Sequence, residues 1–365
     1  MTSSALRGVR VFRGGRFGDP EDVVIEGSTI GSDTIGTATI GTDAAGSLDV
    51  TTGGFLIPGL IDCHVHVTGT DTLETLARYG VTTALDMGNP MELLDSLRGK
   101  PGLTDLRAAG LVSTSPTSAH AQRMHAGPQV LVNGPDDADS WVAARVAEGA
   151  DYIKVVIDLP GFDQGTVDAL VAAAHARGKK VVAHASRSDA VTMAQRAGVD
   201  ILTHAPLDRP IDAVQAADLV AAGAIIVPTL TMMEGLVEGL KRAGIPGPVY
   251  EPARASVATL HAAGMPILAG TDANAVPAAP SSPPFGESMH HELELLVEAG
   301  LSAAQALAAA TSLAADHFGL DDRGRIRQGL RADLVLLESN PLDDIGATRG
   351  IREVWIAGSR VASAG

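Results

Sequence analysis

The chain has 365 residues, 45% of them apolar but only 3% aromatic, and a formal charge of −16 from 27 basic and 43 acidic side chains. No Lys/Arg cluster stands out along it, which argues against nucleic acid or an anionic membrane as the main partner, since both need a concentrated basic face. No stretch approaches the roughly 18 uninterrupted apolar residues of a membrane span.

In chain order, residues 1–53 read as short strands and turns. Val9–Phe12, Val23–Ile25 and Ala38–Ile40 alternate or run apolar between clusters of Gly, Ser, Thr and Asp. The N-terminal MTSSALRGVRVFRGG lacks the apolar core of a signal peptide. The only cysteine is Cys63, so no internal disulfide forms and a reducing cytoplasm is the simplest compartment.

From about residue 54 the pattern changes. Leu56–His64 and Leu106–Val112 are strand-like, and a helical segment, a glycine and a short apolar strand recur six times more. These are LARYG–VTTALD, RVAEGAD–YIKVVID, AAHARG–KKVVAHA, AQRAGVD–ILTHA, DLVAAG–AIIVPTL and LHAAGM–PILAGTD. Glycine suits the left-handed cap of each helix, and β-branched residues open each strand. Eight strands alternating with helices predict a closed (β/α)8 TIM-like barrel over 54–325. An open doubly wound sheet would carry a Gly-rich phosphate turn after its first strand, and none is present. Stretches 113–135, 229–250 and the Pro/Ser-rich 273–289 read as loops at the C-terminal ends of strands, where barrel enzymes place their sites. Ala303–Leu320 reads as one Ala-rich helix. Ala332–Leu337 and Ile351–Ile356 are again strand-like, so 326–365 joins 1–53 in a small composite β-sandwich domain.

The polar residues of the predicted strand ends carry the chemistry. In Asp62-Cys63-His64-Val65-His66, alternation places His64 and His66 on one face and Cys63, as packing, on the other. His184 ends VVAHA, His204 ends ILTHA, Asp272 ends ILAGTD and Lys154 lies inside YIKVVID. A polar side chain in an apolar strand is costly unless paired or metal-bound. Any one of them is compatible with a satisfied core residue; five of eight strands delivering such groups to one rim point to a metal centre. A buried lysine beside cations sheds its proton, and the neutral amine can add carbon dioxide. The resulting carbamate can bridge two metals about 3.5–4 Å apart. The other reading of Lys154 is an ion pair with Asp272 or Asp158.

Outside that set, His120 and His125 in STSPTSAHAQRMH could meet a substrate carbonyl or carboxylate, or lie on the surface. Arg187 and Arg209, after the fifth and sixth strands, offer forked donors to a substrate carboxylate or form surface ion pairs. Met232, Met233 and Leu236 form an apolar wall or core. His175, His261, His290, His291 and His317 read as solvent-facing or structural.

The strings GFLIPGLIDCHVH, VVAHA, ILTHA, ILAGTDAN, GLRADLVLLESNPLDDI and VWIAGSRV resemble the amidohydrolase superfamily, most closely its imidazolonepropionase-like and Xaa-Pro-dipeptidase-like branch. The similarity runs over nearly the whole chain. It implies a barrel with a β-sandwich from both termini, one or two divalent metals, usually zinc, and a homo-oligomer, as is common in the family. By this likeness His64, His66 and Asp272 hold the first metal, His184 and His204 the second, and carboxylated Lys154 bridges. Imidazolonepropionases are mononuclear and lack the lysine, so Lys154 pulls the match toward the binuclear peptidase-like members. Those members carry a TxxxGGH-type stretch; here Thr117 and His120 remain but the glycines do not. The expected reaction is hydrolysis of an amide or peptide-like C–N bond in a small molecule, such as an N-acyl amino acid or Xaa-Pro dipeptide. Asp272 would be the general base and His120 would assist. Hydrolysis of a cyclic amide, lactone or phosphoester on the same centre is the alternative. A non-catalytic scaffold is the reading from another class, set against six filled ligand positions. VVAHASRSDA lacks the glutamate that aminohydrolases place there, which disfavours deamination.

Overall fold

The computed structural model describes residues 3–31, 49–123, 125–277, 279 and 281–361. The expected strand Ala38–Ile40 lies outside these. The described strands are β1 (Ser3–Arg13), β2 (Arg16–Phe17), β3 (Glu21–Glu26), β4 (Thr29–Ile30), β5 (Asp49–Thr52), β6 (Phe55–Pro58), β7 (Leu60–Val65), β8 (Val81–Asp86), β9 (Asp105–Ala108), β10 (Ile153–Val156), β11 (Val181–His184), β12 (Ile201–Thr203), β13 (Ile225–Val227), β14 (Leu334–Leu337), β15 (Ile351–Ile356) and β16 (Ser359–Val361).

Both ends of the chain build one sheet, in the order β16-β15-β14-β6-β1-β3-β4, with β2 and β5 also paired to β1. The junction is antiparallel, with Val335 of β14 opposite Ile57 of β6. Alternating apolar residues of several strands, among them Leu6, Val11, Ile25, Leu56, Leu334 and Trp355, make its core. Leu56–Pro58, which reads in sequence as the start of the first barrel strand, therefore belongs to this sheet. The chain changes sheets at Gly59. A Cβ there would lie 2.2 Å from Thr82 Oγ1, so only glycine passes.

The fold of the middle is a TIM-like α/β barrel. β7-β8-β9 and β10-β11-β12-β13 form two parallel arcs. Ser113 bridges Val155 on one side, while Ile267 bridges Ile226 and Ala273 bridges Val65 on the other. Cys63 N–H donates to Ala269 O at 3.0 Å and Leu268 N–H to Ile226 O at 2.9 Å, so 266–273 stands as the eighth stave between β13 and β7. Ile61, Cys63, Leu85, Val182, Ile201, Ile225 and Leu268 fill the barrel, with Ala314, Ala315 and Leu320 joining the same cluster.

Two helical expectations change. The predicted single helix Ala303–Leu320 is two, Ala303–Ala309 and Ser312–Phe318, because Thr311 leaves helical geometry at φ −139, ψ −98. The stretch 229–250 is not loop throughout: Leu230–Arg242 is a helix, whose first turns bury Met232 and Met233 in the main core, with Leu236 partly buried against it. The buried Arg323 guanidinium ties the chain's last third to the barrel, donating to Asp105 at 2.7 Å and Thr83 at 3.0 Å.

Candidate active site

At the C-terminal rim the backbone does the aiming. Alternation alone would turn Cys63 and His64 to opposite faces. The register between β7 and β8 slips between Asp62 and Val65, and His64 turns toward the same interior that Cys63 fills. His204 directly follows β12 at φ 74, Asp272 ends the eighth stave at φ 56, and Thr229 follows β13 at φ 48. Left-handed backbone at non-glycine residues costs on the order of 1–3 kcal/mol each and persists where the surroundings hold it.

These residues converge. Asp272 Oδ1 lies 3.4 Å from His64 Nε2 and 3.2 Å from His66 Nε2, and its Oδ2 is 4.0 Å from His204 Nδ1. The His184 and His204 rings are 4.4 Å apart, and those of His64 and His204 5.1 Å. Lys154, 3% exposed, donates from Nζ to Thr203 Oγ1 at 2.7 Å. The described residues hold no ion pair from Lys154 to Asp272 or Asp158; Asp158 instead accepts the His120 backbone N–H at 2.9 Å.

Burial drives the electrostatics. It pushes His64 and His184 well below the ordinary histidine value, with neighbouring positive charges adding to it. His204 falls to about 3 by burial, although the Asp272 charge opposes it. Neutral imidazoles keep the lone pair that a metal needs. For His66, burial is outweighed by the hydrogen bond and charge of Asp272, and its value rises. For Asp272, burial is outweighed by His66, His204 and Lys154, and its carboxyl sits below the usual range. Burial lowers Lys154 to about 7 against the pull of Asp272.

The donor set fits a divalent cation. His64, His204 and Asp272 each offer one ligand atom within 4.8 Å of the others. His64 Nδ1 is buried without a hydrogen-bond partner. His66 and His184 touch the same group, so the five imidazole and carboxylate residues singled out in sequence are brought together, with Lys154 on the same rim.

Of the other candidates, only His120 reaches this cluster. Its ring is 5.8 Å from that of His184, its Nδ1 is buried and unpartnered, and burial lowers its value to about 4. His125, Arg187 and Arg209 are exposed, unlike the histidine cluster. His175, His290 and His291 are engaged elsewhere, by Asp200, Thr348 and Glu234 respectively.

Sequence reasoning passed over four supporting residues. Asp62 accepts from His64 N–H at 3.1 Å, Thr271 N–H at 3.0 Å and Thr271 Oγ1 at 2.7 Å, so one carboxylate locks together the staves that carry His64 and Asp272. Asp86 accepts from the backbones of Val67, Gly88 and Asn89 and from Asn89 Nδ2, fixing the loop after His66. Thr229 Oγ1 is 2.7 Å from His204 Nδ1, and Thr203 holds Lys154. Asp86 ends VTTALD just as His184 ends VVAHA, so the signal is in the sequence. That its carboxylate turns to backbone N–H groups is not.

A profile of the amidohydrolase family matches residues 55–361. The imidazolonepropionase of Deinococcus deserti is 28% identical over 373 aligned residues, covering 87% of each chain. A crystal structure of a Xaa-Pro dipeptidase with methionine bound in its active site superposes with a TM-score of 0.83 at 24% identity, over 98% of this chain and 99% of the other. A prolidase complexed with N-methylphosphonate-L-proline gives 0.79 at 22% identity, over 99% and 100%. At those identities the structural likeness speaks for the fold. The family match spans most of the chain, and this protein belongs to the amidohydrolase family, a hydrolase acting on carbon–nitrogen bonds.

Proposed function

We propose that the protein hydrolyses the amide or peptide-like C–N bond of a small carboxylate-bearing molecule, such as an N-acyl amino acid or Xaa-Pro dipeptide, at a binuclear zinc centre. The observation that carries this is the convergence of His64, His66 and His204 on Asp272, with His184 against His204 and a buried lysine on the same rim. His64, His66, His184, His204 and Asp272 would hold the ions, and Lys154 would join them as its carbamate. A lysine that loses its proton near neutral pH has the free amine that carbamate formation requires. The metals, when bound, supply a water acidic enough to ionise near neutral pH and polarise the scissile carbonyl.

The chain's own groups do the rest. Asp272, whose carboxyl is held below the usual range chiefly by the His66 hydrogen bond against its burial, accepts the proton of the attacking water and delivers it to the leaving nitrogen. His120 carries a buried, unpartnered ring nitrogen beside His184 and is placed to hold the substrate's carbonyl or carboxylate. Arg187 and Arg209, exposed and close in sequence to His184 and His204, would meet a carboxylate further out.

The test is a panel of N-acyl amino acids, Xaa-Pro dipeptides, cyclic amides, lactones and phosphoesters, assayed with zinc and bicarbonate. Wild type should favour the first two, and Asp272→Asn should lose at least about a hundredfold in kcat. A wild type that prefers lactones or phosphoesters overturns the substrate class. Full turnover in Asp272→Asn overturns the base.

A further inference from the structure

We propose that Thr203 is a positioning residue for Lys154, accepting the one N–H that the lysine nitrogen keeps when it becomes a carbamate. This rests on the carbamate reading above and assigns it a partner within the chain.

The geometry restricts the hydrogen bond to one direction. Thr203 has a single hydroxyl proton, and its Oγ1 lies 3.0 Å from the carbonyl oxygen of Ala183, which can only accept. Toward Lys154 Nζ, at 2.7 Å, the same oxygen is therefore an acceptor and the lysine is the donor. Both residues are buried, Thr203 completely, so the hydrogen bond lies within the protein interior.

That arrangement survives the chemistry. A neutral lysine amine has a lone pair and two hydrogens. The lone pair attacks the carbon of carbon dioxide, the N–C bond forms and one C=O π pair moves onto oxygen. One amine hydrogen leaves as a proton to water. The product nitrogen has a single hydrogen, and Thr203 Oγ1 is already its acceptor. Holding that N–H fixes rotation about the last bonds of the side chain, so the two new oxygens are presented to one side. Thr203 is next in sequence to His204 and pairs in register with His184, so the acceptor belongs to the same two strands that deliver those histidines. A valine of the same shape would keep the packing and lose the acceptor, leaving a buried N–H unpaired.

The experiment compares wild type, Thr203→Val, Thr203→Ala and Thr203→Ser as full-length proteins, with folding checked by circular dichroism and melting. Each is titrated with 13C-labelled bicarbonate while the carbamate carbon is followed by 13C NMR, and zinc per chain is measured after dialysis. Lys154→Ala identifies the signal by abolishing it. The expected result is a bicarbonate half-saturation raised about fivefold or more in Thr203→Val and Thr203→Ala, in step with lost zinc, and restored in Thr203→Ser. Wild-type half-saturation in both hydroxyl-free variants overturns the role of Thr203 while leaving the carbamate in place. No carbamate signal in wild type at saturating bicarbonate overturns the carbamate reading and the proposal with it.

Discussion

At the scale of single residues, polar groups in apolar strands were the legible part of the site. His184, His204 and Asp272 each end such a strand, and Lys154 lies inside one, where an unpaired polar group is costly. The lysine makes the sharpest prediction. Lys154→Ala should purify with little bound zinc, and added short carboxylic acids should restore part of it; unchanged metal content would remove the carbamate. Glu292 was not legible as anything but a helix residue. It is fully buried, and its carboxylate accepts from the backbone N–H groups of Leu230 and Thr231 and from Thr231 Oγ1. Burial nevertheless pushes it up to about 7. Its folded value thus exceeds its unfolded one, so the stability it contributes is complete below about pH 4.5 and declines as pH rises through 7. Glu292→Gln, close in shape to the neutral acid, should flatten the fall in melting temperature between about pH 5 and 8. An identical fall in both proteins would show that Glu292 is not its source.

At the scale of elements, periodicity found the barrel strands and missed how they are joined. Glycine after each helix and β-branched residues after each glycine are local signals, which is why VTTALD and VVAHA are strands as read. The transfer at Gly59 and the slip between Asp62 and Val65 depend on what lies across the sheet, on Thr82 and β8, and no local pattern reports them. The eighth stave shows the same dependence. A Cβ on Gly270 would lie 2.5 Å from Val227 Cγ1 and 3.0 Å from the backbone nitrogen of His64. Backbone cannot swing aside as a flexible side chain can, so Gly270→Ala should separate this stave from β7 and move His64 away from Asp272. Lower melting temperature together with reduced zinc per chain is the expected result. A variant that melts and binds zinc as wild type does would mean that the staves tolerate the spacing.

At the scale of the whole molecule, composition indicated a chain rich enough in apolar residues for a large core and acidic in net charge, but not how the two ends meet. Among the described residues no helix is long and apolar enough to cross a membrane. The shared sheet was readable because both termini are strand-like, while its strand order was not, since β14 sits beside β6 across nearly the full chain. Arg323 is the buried tie between these parts. Replacing it with methionine would leave Asp105 and Asp333 short of a cation and should cost about 3 kcal/mol in urea unfolding. A loss below about 1 kcal/mol would show that Arg107 and Arg331 suffice to neutralise them. The seam between β6 and β14 also sets an order of events in the cell. A ribosome makes β1 and β6 well before β14, with the barrel strands in between. While residues 59–333 are being made, then, the nascent chain carries a strand edge whose hydrogen-bonding groups await their neighbour. Such edges attract other chains. The enzyme's yield in a host should therefore follow chaperone supply during elongation, and a fast-translated gene should gain the most from it.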